Sequence, residues 1–354
     1  MKILKKIRIS KVSLDNRICI APMCQYSSNN GNPSKWHYDH LGSLMKAGAG
    51  LLLIESTAVS KNGRISKKDL TLCNNNNFRK FKKLINYLKK ISNTKIGIQL
   101  SHAGRKGSSE IPWIRSNKPI LKKRGGWKTI APSSIRRDKH WPYPKEMNIQ
   151  DIKKIKKNFI ASSILSKKLG FDCLELHMAH GYLLHQFFSP ISNLRNDKFG
   201  GNIENRCRLL IDIAKEVRKI WPNNKILGAR INGYDWLKDG STIKDCIYLS
   251  KQLKKIGFHY VCITSGGIVP KTSVKFKKGY QVFLAKKIKQ NSTIIVKTTG
   301  MIEDLKHAEK IVKSKKADLV SFGRKFVNSP NWLIKELILK KGKVEIPNQY
   351  KRCF

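Results

Sequence analysis

The chain has 354 residues, 72 of them Lys or Arg against 23 Asp or Glu, for a formal net charge of +49. A hydrophobic share of 40% and 24 glycines supply enough apolar material for a large core, which excludes disorder of the whole chain. No apolar run reaches the length of about 18 residues that a membrane-spanning helix needs.

The amino terminus, 1–10, is basic, but Lys and Arg interrupt every apolar pair, so it lacks the continuous apolar stretch of an export signal. Eight short apolar runs follow in order: 18–21, 50–54, 96–100, 173–176, 226–231, 260–264, 293–297 and 318–322. Uninterrupted runs of this kind mark parallel strands covered on both faces. Amphipathic stretches lie between them, among them 76–91, 150–169, 203–220, 242–256 and 303–312, with lysines filling the polar side. Eight alternations of strand and helix predict a single closed (β/α)8 TIM barrel over 1–354. No Gly-x-Gly-x-x-Gly follows the first strand, which argues against a Rossmann domain. The connection 101–148 carries Trp113, Trp127 and Trp141 and is too long for a simple turn. It reads as an excursion over the carboxyl end of the barrel, either shaping an active site or only capping the surface. The run 74–77 reads as a helix-capping loop.

Cys19, Cys24, Cys73, Cys173, Cys207, Cys246, Cys262 and Cys353 form no C-x-x-C pair. That spacing argues against a zinc ribbon, an iron–sulfur site or a disulfide framework, and fits a reducing cytoplasm. The basic residues are spread along the chain and not gathered into a tail or one face, so the charge reads as solvated helix faces and not as a specific nucleic-acid site. A nucleic-acid-binding protein stays as the rival reading, because such a surface attracts any polyanion.

A barrel keeps its chemistry at the carboxyl ends of its strands. There the sequence places Cys24 and Tyr26, Gln99, His177, His180 and Tyr182, Arg230, Gly300, and Gly323 with Arg324. Gly300 and the Gly323–Arg324 pair sit where barrels bind phosphate, or simply where tight turns need glycine. Arg230 ends an apolar strand and needs an anion, either an internal carboxylate or a ring such as a reduced flavin. Gln99 offers a donor and an acceptor to a pyrimidine-like edge. His177 and His180 suit donation to a substrate oxygen; a structural pair or metal ligands are the alternatives, although the His-Glu-x-x-His of zincins is missing, so no metal is expected. Tyr182, with a phenol pKa near 10, is a proton donor at neutral pH. Cys24 is either a small buried hydrophobe or a cofactor contact.

Several motifs occur in a family-like order: Ala21-Pro22-Met23-Cys24-Gln25-Tyr26, the segment 97–106 (GIQLSHAGRK), 175–183 (ELHMAHGYL), 188–206 and Gly323-Arg324. Together they resemble the Old Yellow Enzyme family, and within it the bacterial NADPH dehydrogenase, or thermophilic-like ene-reductase, branch. The resemblance implies a TIM barrel with non-covalent FMN, reduced by NADPH, that passes hydride from flavin N5 to the β-carbon of an α,β-unsaturated carbonyl or nitro compound in a ping-pong cycle. It implies that Ala21, Pro22, Met23, Cys24, Ala58 and Gln99 touch the flavin ring, that Arg230 faces its N1 edge, and that Gly300, Gly323 and Arg324 hold the phosphate. His177 and His180 bind the substrate oxygen, Tyr182 protonates the α-carbon, and Tyr26 lines the pocket. The tail 340–354 is similar to one that reaches a neighbouring subunit's site, which makes Arg352 a candidate substrate contact and implies a homo-oligomer, dimer or tetramer, with no membrane partner. The branch often has Ser where this chain has Ala21, one hydrogen bond fewer to the flavin. A flavin-binding barrel that has lost turnover is the alternative within the family.

Overall fold

The computed structural model describes residues 1–341 and 346–353. Each of the eight apolar runs overlaps one barrel strand: β1 (Ile18–Ile20), β2 (Leu51–Ala58), β3 (Lys95–Ser101), β4 (Cys173–Met178), β5 (Ile226–Asn232), β6 (Tyr260–Thr264), β7 (Ile295–Thr298) and β8 (Leu319–Phe322). The strands pair in parallel and in chain order, and β8 closes on β1 with Val320 opposite Ile18 and Phe322 opposite Ile20. The outer layer is α1 (Lys35–Met45), α2 (Asn75–Ile91), α3 (Ile149–Lys168), α4 (Ile203–Ile220), α5 (Ile243–Ile256), α6 (Val282–Asn291), α7 (Leu305–Lys313) and α8 (Trp332–Lys341). This is the (β/α)8 TIM barrel that the alternation predicts.

Local chemistry sets the helix starts. Asn74 accepts from the Asn77 backbone at the head of α2, while Asn148 with Asp151 and Thr242 with Asp245 form reciprocal caps on α3 and α5. Among the described residues no helix is long and apolar enough to cross a membrane.

Two apolar layers separate by strand parity. Ile18, Leu52, Ile98, Leu174, Leu227, Val261 and Val296 face the helices. Cys19, Leu51, Leu53, Cys173, Ile226, Cys262 and Leu319 fill the barrel's inside, together with Ile9 and Leu14 of an amino-terminal hairpin (Ile7–Ile9 with Val12–Leu14) that plugs the lower end.

The excursion 101–148 crosses the carboxyl end. Arg105 Nη2 donates to the Ile268 carbonyl at 2.8 Å and Lys106 Nζ to the His180 carbonyl at 2.7 Å, tying it to the loops after β6 and β4. Of the expected tail 340–354, residues 342–345 and 354 lie outside the described residues. The described part, Asn348–Cys353, packs through Tyr350, whose hydroxyl accepts from Lys46 Nζ at 2.7 Å.

Candidate active site

Side chains alternate along a strand, so those that continue the inward parity end up at the mouth. On β4 the series is Cys173, Glu175, His177; on β5 it is Ile226, Gly228, Arg230; on β7 it reaches Lys297. Halfway up, Glu175 organises a buried polar layer. Its Oε1 accepts from Gln99 Nε2, and its Oε2 accepts from both the Tyr260 hydroxyl and Lys297 Nζ, each at 2.7 Å. Gly228 makes room for this layer, because a Cβ there would lie 2.2 Å from the Tyr260 ring. Burial alone would raise the Glu175 pKa, but Lys297 and Arg230 outweigh it and hold the carboxyl below its ordinary range.

Above this layer a cavity of about 760 Å3 opens, within the size range of small-molecule sites. It is lined by Ala21, Pro22, Met23, His180, Arg230, Gly300, Gly323 and Arg324, which sequence reasoning selects, and also by Thr264, Ser265, Gln281 and Ser321, which it does not. Four buried polar atoms on these walls have no protein partner: Arg230 Nε, Ser265 Oγ, Gln281 Oε1 and Ser321 Oγ. Unspent buried donors and acceptors are costly unless a polar ligand meets them. At one end Gly323 caps the short helix Arg324–Asn328, and a Cβ at Gly323 would sit 2.8 Å from Met23 Sδ. Gly300 has φ +107°, a conformation that favours glycine. The residues therefore fit an elongated ligand with a polar ring and an anionic tail, the chemistry of FMN.

The first wall of the mouth is the segment after β1. Ala21 N–H donates to the Phe322 carbonyl at 2.8 Å, and Gln25 N–H to Glu55 Oε2 at 2.7 Å, while His37 of α1 holds the other oxygen of Glu55 at 3.0 Å. This fixes Cys24, whose thiol is kept protonated by burial and then by the nearby Glu55 and Asp69. Tyr26 has φ +48° and sets its ring edge-on to Trp113 at 5.8 Å.

The second wall follows β4. His177 lies 4.8 Å from the Tyr182 ring and 5.1 Å from the His180 ring, both edge-on. The Ala179 N–H donates to His177 Nδ1 at 3.2 Å, which leaves the neutral ring's proton on Nε2. His180 Nε2 lies 2.8 Å from Thr264 Oγ1. Burial, then Arg230, drives both imidazoles to the neutral form, and burial, then Cys24 and Tyr26, keeps the Tyr182 phenol protonated. The turn is held from below: Gly181 N–H donates to His185 Nδ1 at 2.7 Å, and His185 Nε2 lies 2.9 Å from Asp235 Oδ1, with both side chains fully buried. Gly181 is required there, since a Cβ would come within 2.1 Å of the Gly267 carbonyl.

Three residues stand differently from a simple reading of the sequence. Gln99 spends its amide N–H on Glu175 and lies beneath the cavity lining. Ala58 is buried at the end of β2, bonded through its backbone to Leu70 and Leu72. Arg352 is exposed, two residues beyond the Tyr350 that packs on Lys46, and is not part of its own subunit's mouth. Lys106 and Arg137 also lie near Tyr182, and the sequence gives no sign of it, because a basic residue in so basic a chain carries no signal of its own.

The model of the NADH:flavin oxidoreductase / NADH oxidase family matches residues 2–342. The chain is 37% identical to NADH:flavin oxidoreductase FG08077 of Gibberella zeae over 98% of this chain and 88% of that protein. It is 35% identical to the NADPH dehydrogenase of Clostridium acetobutylicum over the full length of both. Among solved structures, an Old Yellow Enzyme homologue from Zymomonas mobilis superposes with a TM-score of 0.80 at 20% identity, over 98% of this chain and 94% of that one. A 2-naphthoyl-CoA reductase superposes with a TM-score of 0.86 at 22% identity over 97% of this chain, which spans 52% of that longer protein.

Proposed function

This chain belongs to the NADH:flavin oxidoreductase / NADH oxidase family, the family of Old Yellow Enzyme, and we propose that it is an FMN-dependent NADPH dehydrogenase acting as an ene-reductase on α,β-unsaturated carbonyl or nitro compounds. The observation that carries this reading is the cavity with unspent polar walls around Arg230 and Gly323, directly beside the His177–His180–Tyr182 cluster. When bound, FMN supplies the hydride chemistry, taking two electrons from NADPH and returning hydride to the β-carbon of the alkene.

The chain's own residues do the rest. Ala21, Pro22, Met23, Cys24, Ala58 and Gln99 would hold the ring, Arg230 would supply positive charge at its polar edge, and Gly300, Gly323 and Arg324 would take the phosphate. His177 and His180, both neutral, donate to the carbonyl or nitro oxygen and stabilise the negative charge that develops there. Tyr182 gives its hydroxyl proton to the α-carbon and is reprotonated from solvent, with its protonated form favoured by burial. Tyr26 and Trp113 close the pocket over the alkene. The nicotinamide leaves before the alkene enters, because both need the same face.

The reading includes a cytoplasmic homo-oligomer, dimer or tetramer, in which Arg352 serves a neighbour's site. Its exposed position away from its own mouth is consistent with that role. The deciding experiment is an anaerobic titration. Purified protein should be yellow, bleach with NADPH and recolour on adding cyclohexenone. A colourless protein that refuses added FMN overturns the assignment, and a yellow protein inert to every enone reduces it to a flavin-binding barrel.

A further inference from the structure

Beside the mouth lies a second cavity, of about 930 Å3, which shares Tyr280 with the first. Six of its fourteen lining residues are lysines, Lys275, Lys277, Lys278, Lys286, Lys310 and Lys316, and none is Asp or Glu. The chain as a whole has 72 Lys and Arg in 354 residues, so this hollow is enriched even against a basic background. Only Lys278 is paired, with Glu303 at 2.7 Å; among the described residues the other five make no ion pair. Ammonium groups gathered around one hollow repel each other, and an anion carrying several charges relieves that repulsion.

The cavity also has an aromatic wall. Trp236 and Phe283 meet edge-on at 6.1 Å, Phe283 is 51% exposed, and the buried Trp236 Nε1 has no partner. Trp236 is itself held at φ +62°, an uncommon conformation for a bulky residue. An aromatic wall of this kind suits a planar heteroaromatic base. The wall is close to the reacting centre: Trp236 packs on Gly266, where an added Cβ would lie 3.5 Å from its ring, and Gly267 packs on the His180 backbone. A long reactant with its reacting end at His180 would leave its other end among these lysines.

We propose that this cavity binds the phosphorylated adenosine end of a reactant, an adenosine bisphosphate moiety such as NADPH carries with a 2′-phosphate or a coenzyme A thioester with a 3′-phosphate. The assignment rests on the ene-reductase reading for the reactant, but not for the binding itself.

The test is calorimetric titration of the FMN-loaded protein with adenosine 2′,5′-bisphosphate, adenosine 3′,5′-bisphosphate and inorganic tripolyphosphate. At least one bisphosphate should bind more tightly than tripolyphosphate, and its affinity should fall about tenfold or more in Lys277→Glu/Lys286→Glu. The charge-matched control Lys153→Glu/Lys157→Glu, on the exposed face of α3, should keep it, and Lys310→Gln supplies a milder variant if the double reversal fails to fold. Preference for the 2′-phosphate identifies the reductant, preference for the 3′-phosphate a thioester substrate, and equal binding the shared moiety. No binding, tripolyphosphate binding as tightly as either nucleotide, or an equal loss in the control overturns the proposal. A protein that binds a bisphosphate but exchanges electrons with neither NADPH nor an enone overturns the ene-reductase reading instead.

Discussion

Glu175 and Lys297 meet at 2.7 Å inside the barrel, both side chains fully shielded from solvent. The pair stands one layer below the mouth and Glu175 holds Gln99 of the neighbouring strand, so site geometry and barrel stability share one carboxylate. Replacing Lys297 by Met removes the ion-pair partner of that buried carboxylate and leaves it the Gln99 and Tyr260 hydrogen bonds and the charge of Arg230; the fold should be destabilised by about 3 kcal/mol, read by urea denaturation. The double variant Glu175→Gln/Lys297→Met should recover much of the loss; a double variant as unstable as the single one would refute this account.

The same carboxyl sets a pH dependence. Its folded-state pKa lies below the ordinary 4.5, because Lys297 and Arg230 outweigh burial. A depressed pKa means stability that is present above 4.5 and lost as pH falls through the folded value. Thermal midpoints should therefore drop more steeply with acid in the native protein than in Glu175→Gln. Parallel curves would show that Glu175 is not the group responsible.

Much of this was legible in the sequence, and the illegible part has a physical reason. The strands show because they are apolar on both faces, and the mouth residues show because polar groups interrupt those runs at one end. Glu175 and Lys297 hide because a strand buried on both sides gives no alternation from which to tell inward from outward. Lys297 is one lysine among many until the barrel closes around it. Helix α1 is harder to place than α2, since it carries His37, Tyr38, Asp39 and His40 in its first half. The supporting pair His185–Asp235 is 50 residues apart in the chain and meets only through the fold.

Tyr182→Phe removes the proton donor and keeps the ring packed on His177. Alkene reduction should slow about 100-fold or more, while bleaching of the flavin by NADPH is affected far less. Stopped-flow measurement of the two half-reactions separates them. Equal loss in both would assign Tyr182 to binding and not to proton transfer.

Flavin retention should depend on Arg230 and Gly323 for different reasons. Arg230→Met withdraws the half-buried charge, and Gly323→Ala places a methyl group 2.8 Å from Met23 Sδ at the anionic end. Each should weaken FMN binding about tenfold or more, by loss of a charge-assisted contact in the first and by crowding in the second. Ultrafiltration followed by absorbance reads the fraction retained. Full retention by both variants would mean that the cavity around them is not the flavin site.

Two groups at the mouth, and not the histidines, should titrate near neutral pH: Lys106, and Asp69, which burial raises to about 7; the Lys106→Arg variant separates them. Both imidazoles are pushed well below 6.5 by burial and by Arg230, so they stay neutral across the physiological range. Lys106, 5.0 Å over the Tyr182 ring, is lowered to about 7 by burial first and then by Arg137 and Arg105. Below that pH its positive charge favours the phenolate left when Tyr182 gives up its proton; above it the side chain is a neutral amine and that help is gone. Alkene reduction should fall as pH rises through about 7, and Lys106→Arg, which keeps the charge, should flatten the profile. A native profile that instead rises through this range, or one unchanged by Lys106→Arg, would return the titration to another group.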